Sequence, residues 1–460
     1  MPARPLARRG GRSAAAVILE RVEAGRGHSN ALLAALPARM DERERALATE
    51  LVYGVLRRRR ALDAAIEGAS SRSLGSIAPA VLTVLRLAVY QILFLTRVPR
   101  AAAVNEAVKG VRTRSGRAAA AFANAVLRGV CRALTRSPQP VPALPDPARD
   151  HQAFVSYLET AHSFPRFLVE RFLGRYGPSG CEALLDTLNR PAPVVLRPTR
   201  RGGSPEVVIR RLAEEGIVAV PSPVLAGALR VVRGAAQRSA LFREGAFYIQ
   251  DEASQMVARL LLPIGAGEGL LDLCAAPGGK ILVAAEGCPP DAGPIIAADR
   301  SLARLRVLGQ NARRLGVQGL IEVAMDATRP ALAGRFSRVL LDPPCSGTGI
   351  IRRHPEIRWR RVEEEIGRFA LRQSQALEQA CDLVAPGGRL VYAVCSLEPE
   401  EGSERIAAIL AARPEMKPFD ARSLLPFEAQ RFVDPSGYLS TLPHRDDQDG
   451  FFAAVLVRDR

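Results

Sequence analysis

The stretch Leu271-Asp272-Leu273-Cys274-Ala275-Ala276-Pro277-Gly278-Gly279-Lys280 decides the fold of this 460-residue chain. It begins as a short apolar strand at Leu270, turns through a Pro-Gly-Gly loop and enters a helix near Gly279. Adjacent glycines let the backbone approach a ligand, and the helix start exposes amide groups toward it. The spacing is not G-x-G-x-x-G, so the dinucleotide fingerprint is not met. Downstream, strand and helix patterns alternate. Pro294–Ala298 ends at Asp299, a helix spans Leu302–Leu315, Leu320–Ala324 ends at Asp326, and Val339–Leu341 ends at Asp342. A helix over about Ile366–Val384 and the turn Pro386-Gly387-Gly388 lead to Arg389–Val394, which ends at Cys395; Phe451–Val457 is the last strand. This order predicts a Rossmann-like α/β domain with a doubly wound, mostly parallel sheet. Ligands bind at the carboxyl ends of such strands, where Asp272, Asp299, Asp326, Asp342 and Cys395 fall.

Upstream the pattern changes twice. Residues 1–135 carry apolar positions at helical spacing over Ala14–Val22, Glu44–Leu56, Pro79–Leu95, Ala101–Val111 and Ala118–Leu134. Breakers at Gly25-Arg26-Gly27, Ser70–Ser76, Val98-Pro99 and Ser115-Gly116 separate them, which predicts an all-α bundle. Residues 136–150 are proline-rich and aperiodic, a stiff linker. Residues 151–244 mix helix-like runs (Pro165–Tyr176, Gly180–Asn189) with strand-like ones (Val194–Arg197, Leu229–Val232), a small α+β module whose chemistry is not readable. Gly245–Gln250 followed by Asp251–Leu262 then reads as a strand and helix opening the last domain, 245–460.

Charge is unevenly spread. Residues 1–135 hold 23 Lys and Arg against 9 Asp and Glu, or +14 of the net +17. Lysine occurs only at Lys109, Lys280 and Lys417. A GC-rich genome accounts for arginine over lysine but not for bases over acids. The basic helical domain therefore predicts a polyanionic partner, RNA. Arg4, Arg8, Arg9 and Arg12 precede an apolar run that Glu20 and Arg21 interrupt, so it reads as an amphipathic helix rather than a signal peptide. No apolar stretch is long enough to span a bilayer. The seven cysteines form no CxxC pair and the five histidines no metal-ligand spacing, so a reducing cytoplasm, free thiols and no metal are expected. A monomer is the default expectation.

Asp342-Pro343-Pro344-Cys345 is stiffened by two prolines that lack amide donors, so it projects from the sheet end. It can hold a flat substrate, or be a plain turn with an incidental cysteine. Cys395 is either a second reactive thiol or a buried small hydrophobe, the reading preferred for Cys131, Cys181, Cys288 and Cys381. Each aspartate alone serves equally well as ligand or as helix N-cap. Two thiols facing one cofactor cleft would suit covalent attack on an electrophilic ring carbon.

These residues carry a resemblance. LDLCAAPGGK, DPPCSGTGIIRRHPEIRW (342–359) and YAVCSLEPEE (392–401) resemble the RNA 5-methylcytosine methyltransferases of the NOL1/NOP2/Sun family. The likeness spans about 165–457 and includes Asn189-Arg190-Pro191 and Gln250-Asp251-Glu252. Val104-Asn105-Glu106-Ala107-Val108 and Phe122-Ala123-Asn124-Ala125-Val126-Leu127-Arg128 make the first domain similar to NusB. That fusion, with Ile351-Arg352-Arg353-His354-Pro355-Glu356-Ile357, is similar to the branch acting on bacterial 16S ribosomal RNA.

The resemblance implies S-adenosylmethionine bound by Cys274, Ala275, Ala276, Pro277, Gly278, Gly279 and Lys280, with Asp299 at the ribose and Asp326 near the adenine. It implies Asp342 between cofactor and base, Cys395 as nucleophile and Cys345 as the group assisting release. Asp342 would meet the N3/N4 edge in protonated form, and Arg352, Arg353 and Arg358 become phosphate or base contacts unless they merely line a surface helix. The family's common Thr and Asn are replaced by Val394 and Gly402; neither change removes a reacting atom. Competing readings are a non-catalytic RNA-binding or assembly factor and an amino-group methyltransferase, which needs no nucleophilic thiol.

Overall fold

A computed structural model describes residues 10–37, 39–136 and 145–460 of the chain. Arg4, Arg8, Arg9 and most of the proline-rich linker lie outside the described residues. The chain divides into two compact units, Met1–Arg190 with Arg353–Arg361, and Pro191–Arg352 with Val362–Arg460.

The first unit is helical: α1 (Gly11–Glu23), α2 (Ser29–Ala34), α3 (Glu42–Glu67), α4 (Pro79–Phe94), α5 (Arg100–Arg136), α6 (His151–Ala161) and α7 (Arg166–Asn189). Asp41 caps α3 by accepting from the amides of Arg43 and Glu44, and Pro79 sits in the first turn of α4. The breaker Ser115-Gly116 falls within the α5 range, where Gly116 takes φ +86° and a kink divides two helical stretches, as the sequence pattern expected. Gly177, at φ +67°, interrupts α7 in the same way. Gly54 permits close approach of α3 and α4, since a Cβ there would lie 2.0 Å from the Tyr90 ring. Helices α6 and α7, grouped by sequence with the strands that follow them, fall in this unit. Their junction docks on α3, with the Ala61 amide donating to Ser163 Oγ at 3.0 Å.

Residues 353–361 complete the bundle. Trp359 packs against its core and donates Nε1 to the Leu56 carbonyl at 2.6 Å. Glu356 accepts from Ser29 N at 3.0 Å and Ser29 Oγ at 2.8 Å. Arg358, fully buried, lies 3.8 Å from the Phe164 ring centroid and donates to Asn189 Oδ1 at 2.8 Å and to the Ser163 carbonyl at 3.2 Å.

The second unit opens with a four-stranded antiparallel sheet. It contains β1 (Val194–Pro198), α8 (Pro205–Glu214), β2 (Val218–Pro221), β3 (Leu229–Arg233), α9 (Ala240–Glu244) and β4 (Phe247–Ile249), in strand order β2-β3-β1-β4. The strand read as opening the last domain, β4, instead pairs with β1, Leu196 facing Ile249. Hydrophobic pattern identifies a strand but not its neighbour. Phe247 settles the matter by burying itself in the small core with Leu196, Val208 and Leu229.

The larger sheet follows α10 (Glu252–Arg259). Its elements are β5 (Leu270–Asp272), α11 (Ile281–Gly287), β6 (Ile295–Asp299), α12 (Leu302–Leu315), β7 (Leu320–Ala324) and β8 (Phe336–Leu341). Then come α13 (Ile357–Arg360, in the first unit), α14 (Glu363–Asp382), β9 (Val384–Val394), α15 (Ser403–Ala412), β10 (Met416–Phe419), β11 (Leu439–Thr441), α16 (Pro443–Asp446) and β12 (Phe451–Arg458). The order is β10-β12-β9-β8-β5-β6-β7, with β11 on β12. The five strands from β9 to β7 are parallel, and β12, β10 and β11 add antiparallel pairs. The chain runs from β5 outward through β6 and β7, then returns to β8 on the other side of β5. That reversal opens a crevice at the carboxyl ends of β5 and β8.

Candidate active site

The crevice is lined first by the loop after β5. Asp272 is buried, and its Oδ1 accepts from the Cys274 amide at 3.1 Å. Burial, reinforced by the carboxylates of Asp342 and Asp299, pushes its carboxyl up to about 8. Gly278 takes φ +108° against Leu282 and Leu308, a place with no room for a side chain. The loop is pinned from three sides. Ala275 N donates to the Ala298 carbonyl at 2.7 Å, Asn311 Nδ2 to the Pro277 carbonyl at 3.0 Å, and Gln250 Nε2 to the Gly279 carbonyl at 3.0 Å.

Asp299 and Asp326 are not helix N-caps. The cap of α12 is Ser301, whose amide donates to Asp299 Oδ1 at 2.9 Å. Asp326 Oδ1 accepts from Thr328 N at 3.0 Å and Thr328 Oγ1 at 2.8 Å, bonds that hold its carboxyl below the usual range. Asp299 Oδ2 is buried without a hydrogen bond, although the largely exposed Arg304 guanidinium approaches it to 3.1 Å. A buried carboxylate oxygen lacking an aligned donor, beside a glycine cradle, fits a ligand bearing ribose hydroxyls. These residues therefore fit S-adenosylmethionine.

Across the crevice, Cys345 and Cys395 meet with their sulfurs 3.3 Å apart. Both are partly buried, on the loops that leave β8 and β9. The hydrogen bond to Cys395, then burial, then the charges of Cys395, Glu401 and Asp342, push the Cys345 thiol well up. Lys280 Nζ donates to Asp342 Oδ2 at 2.5 Å and stands 5.3 Å from the Phe451 ring centroid. Burial works against the Lys280 charge, but Asp342, with Cys395 and Asp272, outweighs it and raises the ammonium. The lysine of the glycine loop thus reaches the end of β8 and pairs with Asp342 there.

The arginines of the 342–359 motif differ in their surroundings. Arg352 is buried and pairs with Asp447 at 2.7 Å and with the Pro191 carbonyl at 3.2 Å. Arg358 is buried in the first unit as described, and the half-buried Arg353 belongs to the same segment. Motif position alone could not separate a solvated arginine from one that anchors its own loop. Sequence reasoning also missed Glu401 and Gln373, buried polar residues beneath the cysteine loops. The signal for Glu401 was its place within the quoted YAVCSLEPEE segment; Gln373 had none, as it sits in an ordinary amphipathic helix.

Comparison with known proteins bears on this geometry. A relative from Klebsiella pneumoniae (strain 342), named ribosomal RNA small subunit methyltransferase B, is 32% identical over 98% of this chain and 98% of its own. The family model described as 16S rRNA methyltransferase RsmB/F matches residues 259–457. The chain belongs to the RsmB/F methyltransferase family. The NusB family model matches residues 9–132 of this methyltransferase, and the RsmF/B-like ferredoxin-like domain matches 164–236. The crystal structure of PH0851 superposes with a TM-score of 0.79 at 26% identity, covering 100% of both chains. NSun6 from Pyrococcus horikoshii, solved with SFG, shares the fold at TM-score 0.58 and 23% identity over 66% of this chain and 100% of its own. The NusB-like bundle, small α+β module and methyltransferase domain expected from sequence are thus the architecture of this family member, and the comparison identifies the small module as ferredoxin-like. Among the described residues no helix is long and apolar enough to cross a membrane, and no cluster of His, Cys, Asp and Glu could hold a metal.

Proposed function

We propose that this family member methylates C5 of a cytosine in RNA, specifically 16S ribosomal RNA in the cytoplasm, through a covalent bond between Cys395 and C6. The observation that carries the reading is the 3.3 Å contact of two thiols beside the Lys280–Asp342 pair, at the mouth of the glycine-loop crevice. Amino-group methylation has no use for such a pair, and an inert scaffold has no need to keep it. S-adenosylmethionine, held by Cys274–Lys280, Asp299 and Asp326, supplies an electrophilic methyl group. Cytosine C5 is too poor a nucleophile to take it unaided. Addition of the Cys395 thiolate to C6 makes C5 enamine-like. Charge developing at the N3/N4 edge is met by Asp342 and Lys280 together. After C5 has taken the methyl, its proton must leave so that the C6–S bond can break. Cys345 suits this step: its largest burden, the hydrogen bond and charge of Cys395, disappears once Cys395 is bonded to carbon. Cys345 then gives up its own proton to solvent and, as the thiolate, accepts the C5 proton, while the C5–H electrons form the C5=C6 bond and the C6–S electrons return to Cys395. The base must be unpaired or flipped to be reached.

The test is trapping. Cys345→Ala with S-adenosylmethionine and RNA should accumulate a denaturation-resistant protein–RNA adduct, while Cys395→Ala forms none and is inactive. An adduct in the Cys395 variant, or full turnover without that thiol, would sink the mechanism.

A further inference from the structure

The last ladder pair between the strands carrying the two cysteines is Leu341 with Tyr392. Beyond it the chain after β8 leaves the sheet, while β9 stays paired with β12 through Val394, so no ladder between these two strands sets Cys345 against Cys395. The Gly349 amide, donating to the Cys395 carbonyl at 3.1 Å, is one tie between their loops. Each cysteine is followed by a serine, and both serines converge on one carboxylate, Glu401. Ser346 N donates to Glu401 Oε1 at 2.8 Å, and Ser346 Oγ donates to Oε2. Ser396 Oγ donates to the same Oε2 at 2.5 Å, and the two hydroxyls lie 3.0 Å apart. From α14, Gln373 Nε2 donates to Glu401 Oε1 at 2.9 Å and to the Pro344 carbonyl at 3.0 Å. Tyr392 OH fixes the backbone beneath by donating to the Glu401 carbonyl at 2.6 Å. Glu401, Gln373, Ser346 and Tyr392 are all fully buried.

Burying a carboxylate is costly, and an apolar side chain of similar volume would fill the space at less expense. Here the four bonds to the carboxylate come from neutral donors, three of them on the residues next to the thiols. Charge-assisted bonds of this kind are short and directional, so they fix register more tightly than packing does.

We infer that Glu401 is a positioning residue that registers the Cys345 loop against the Cys395 loop and holds the two sulfurs in contact. The inference rests on the cysteine-dependent reaction proposed above and deepens it. The Glu401 charge has a second effect, as one of the groups that keep the proton on Cys345. Asp342 and Tyr392 also face that thiol, and Lys280 faces Cys395.

The full-length protein is tested in two assays. Iodoacetamide labelling across pH, read at Cys345 and Cys395 by peptide mass spectrometry, reports the thiols without RNA. Methyl transfer to a 16S RNA transcript gives kcat and KM. Glu401→Gln keeps the size and loses the charge, and should let Cys345 label at lower pH than in the wild type. Ser396→Ala should lower kcat about tenfold, the worth of one hydrogen bond, with KM for RNA unchanged. Glu401→Asp keeps the charge but not the reach, and should retain the labelling profile while kcat falls. Wild-type labelling profiles in Glu401→Gln with wild-type kcat in Ser396→Ala would overturn the inference. If Glu401→Gln does not fold, Ser396→Ala and Ser346→Ala carry the test. Absence of both methyl transfer and adduct in the wild type would refute the proposed reaction, while labelling would still report on Glu401.

Discussion

At the scale of single residues, the site joins groups that burial has pushed away from their solution chemistry. Asp272 is the clearest case, a carboxyl held up to about 8 chiefly by desolvation. Its folded value lies above its unfolded value near 4, so the folded state binds the extra proton between pH about 4 and about 8. Stability from this group is present below that window and is lost as pH rises through it. Asp272→Asn, which stays neutral, should gain stability relative to wild type across that window, by at most about 1.4 kcal/mol per pH unit, with no further gain above it. Thermal unfolding of cofactor-free protein at several pH values checks this; a difference that does not change with pH removes the assignment. Chemistry-bearing residues were readable here because they fall at strand ends. Their protonation was not, since the Lys280–Asp342 bond joins positions 62 residues apart.

At the scale of elements, the segment 353–361 separates what a motif suggests from what packing requires. It leaves the methyltransferase sheet after β8 and is built into the helical unit through Glu356, Arg358 and Trp359. Arg358 is buried, with its Nη1 and Nη2 donating to an amide oxygen and backbone carbonyls and its guanidinium over the face of Phe164, while its Nε is buried without a hydrogen bond. Arg358→Ala removes those bonds and leaves a cavity, so it should destabilise the protein by about 2–4 kcal/mol in denaturant unfolding. Lysine should not restore the loss, because it lacks the planar fork and the stacking face. Loss of RNA affinity with unchanged stability would return Arg358 to the phosphate- or base-contact role read from sequence. The helix and strand limits themselves were largely legible. The interruption at Gly116 stands where a breaker stood, since glycine adopts positive φ without a side-chain penalty.

At the scale of the whole molecule, the positive charge lies mostly in the first 135 residues. On α5, Arg112, Arg117, Arg128 and Arg132 are exposed. If they neutralise phosphates, replacing all four by alanine should weaken RNA binding and flatten its dependence on salt, by about 0.7–0.9 in log–log slope for each phosphate no longer neutralised. Binding measured across a salt series decides it; an unchanged slope would move the RNA-binding surface elsewhere. Composition identifies such a domain because electrostatic attraction depends on net charge more than on detail. It does not say which arginines serve it, as the burial of Arg358 and Arg352 makes plain.

The order of strands and helices, the glycine loop, the strand-end acids and both thiols were determined by sequence alone, because each depends on local periodicity or residue type. Tertiary structure alone decided that β4 pairs with β1, that α6, α7 and 353–361 complete the helical unit, and that Lys280 pairs with Asp342. It alone brought Ser346 and Ser396 onto one buried carboxylate. The physical reason is the same in each case. Pairing, desolvation and a shared hydrogen-bond acceptor depend on neighbours distant in the chain, and one sequence read along its length does not encode them locally.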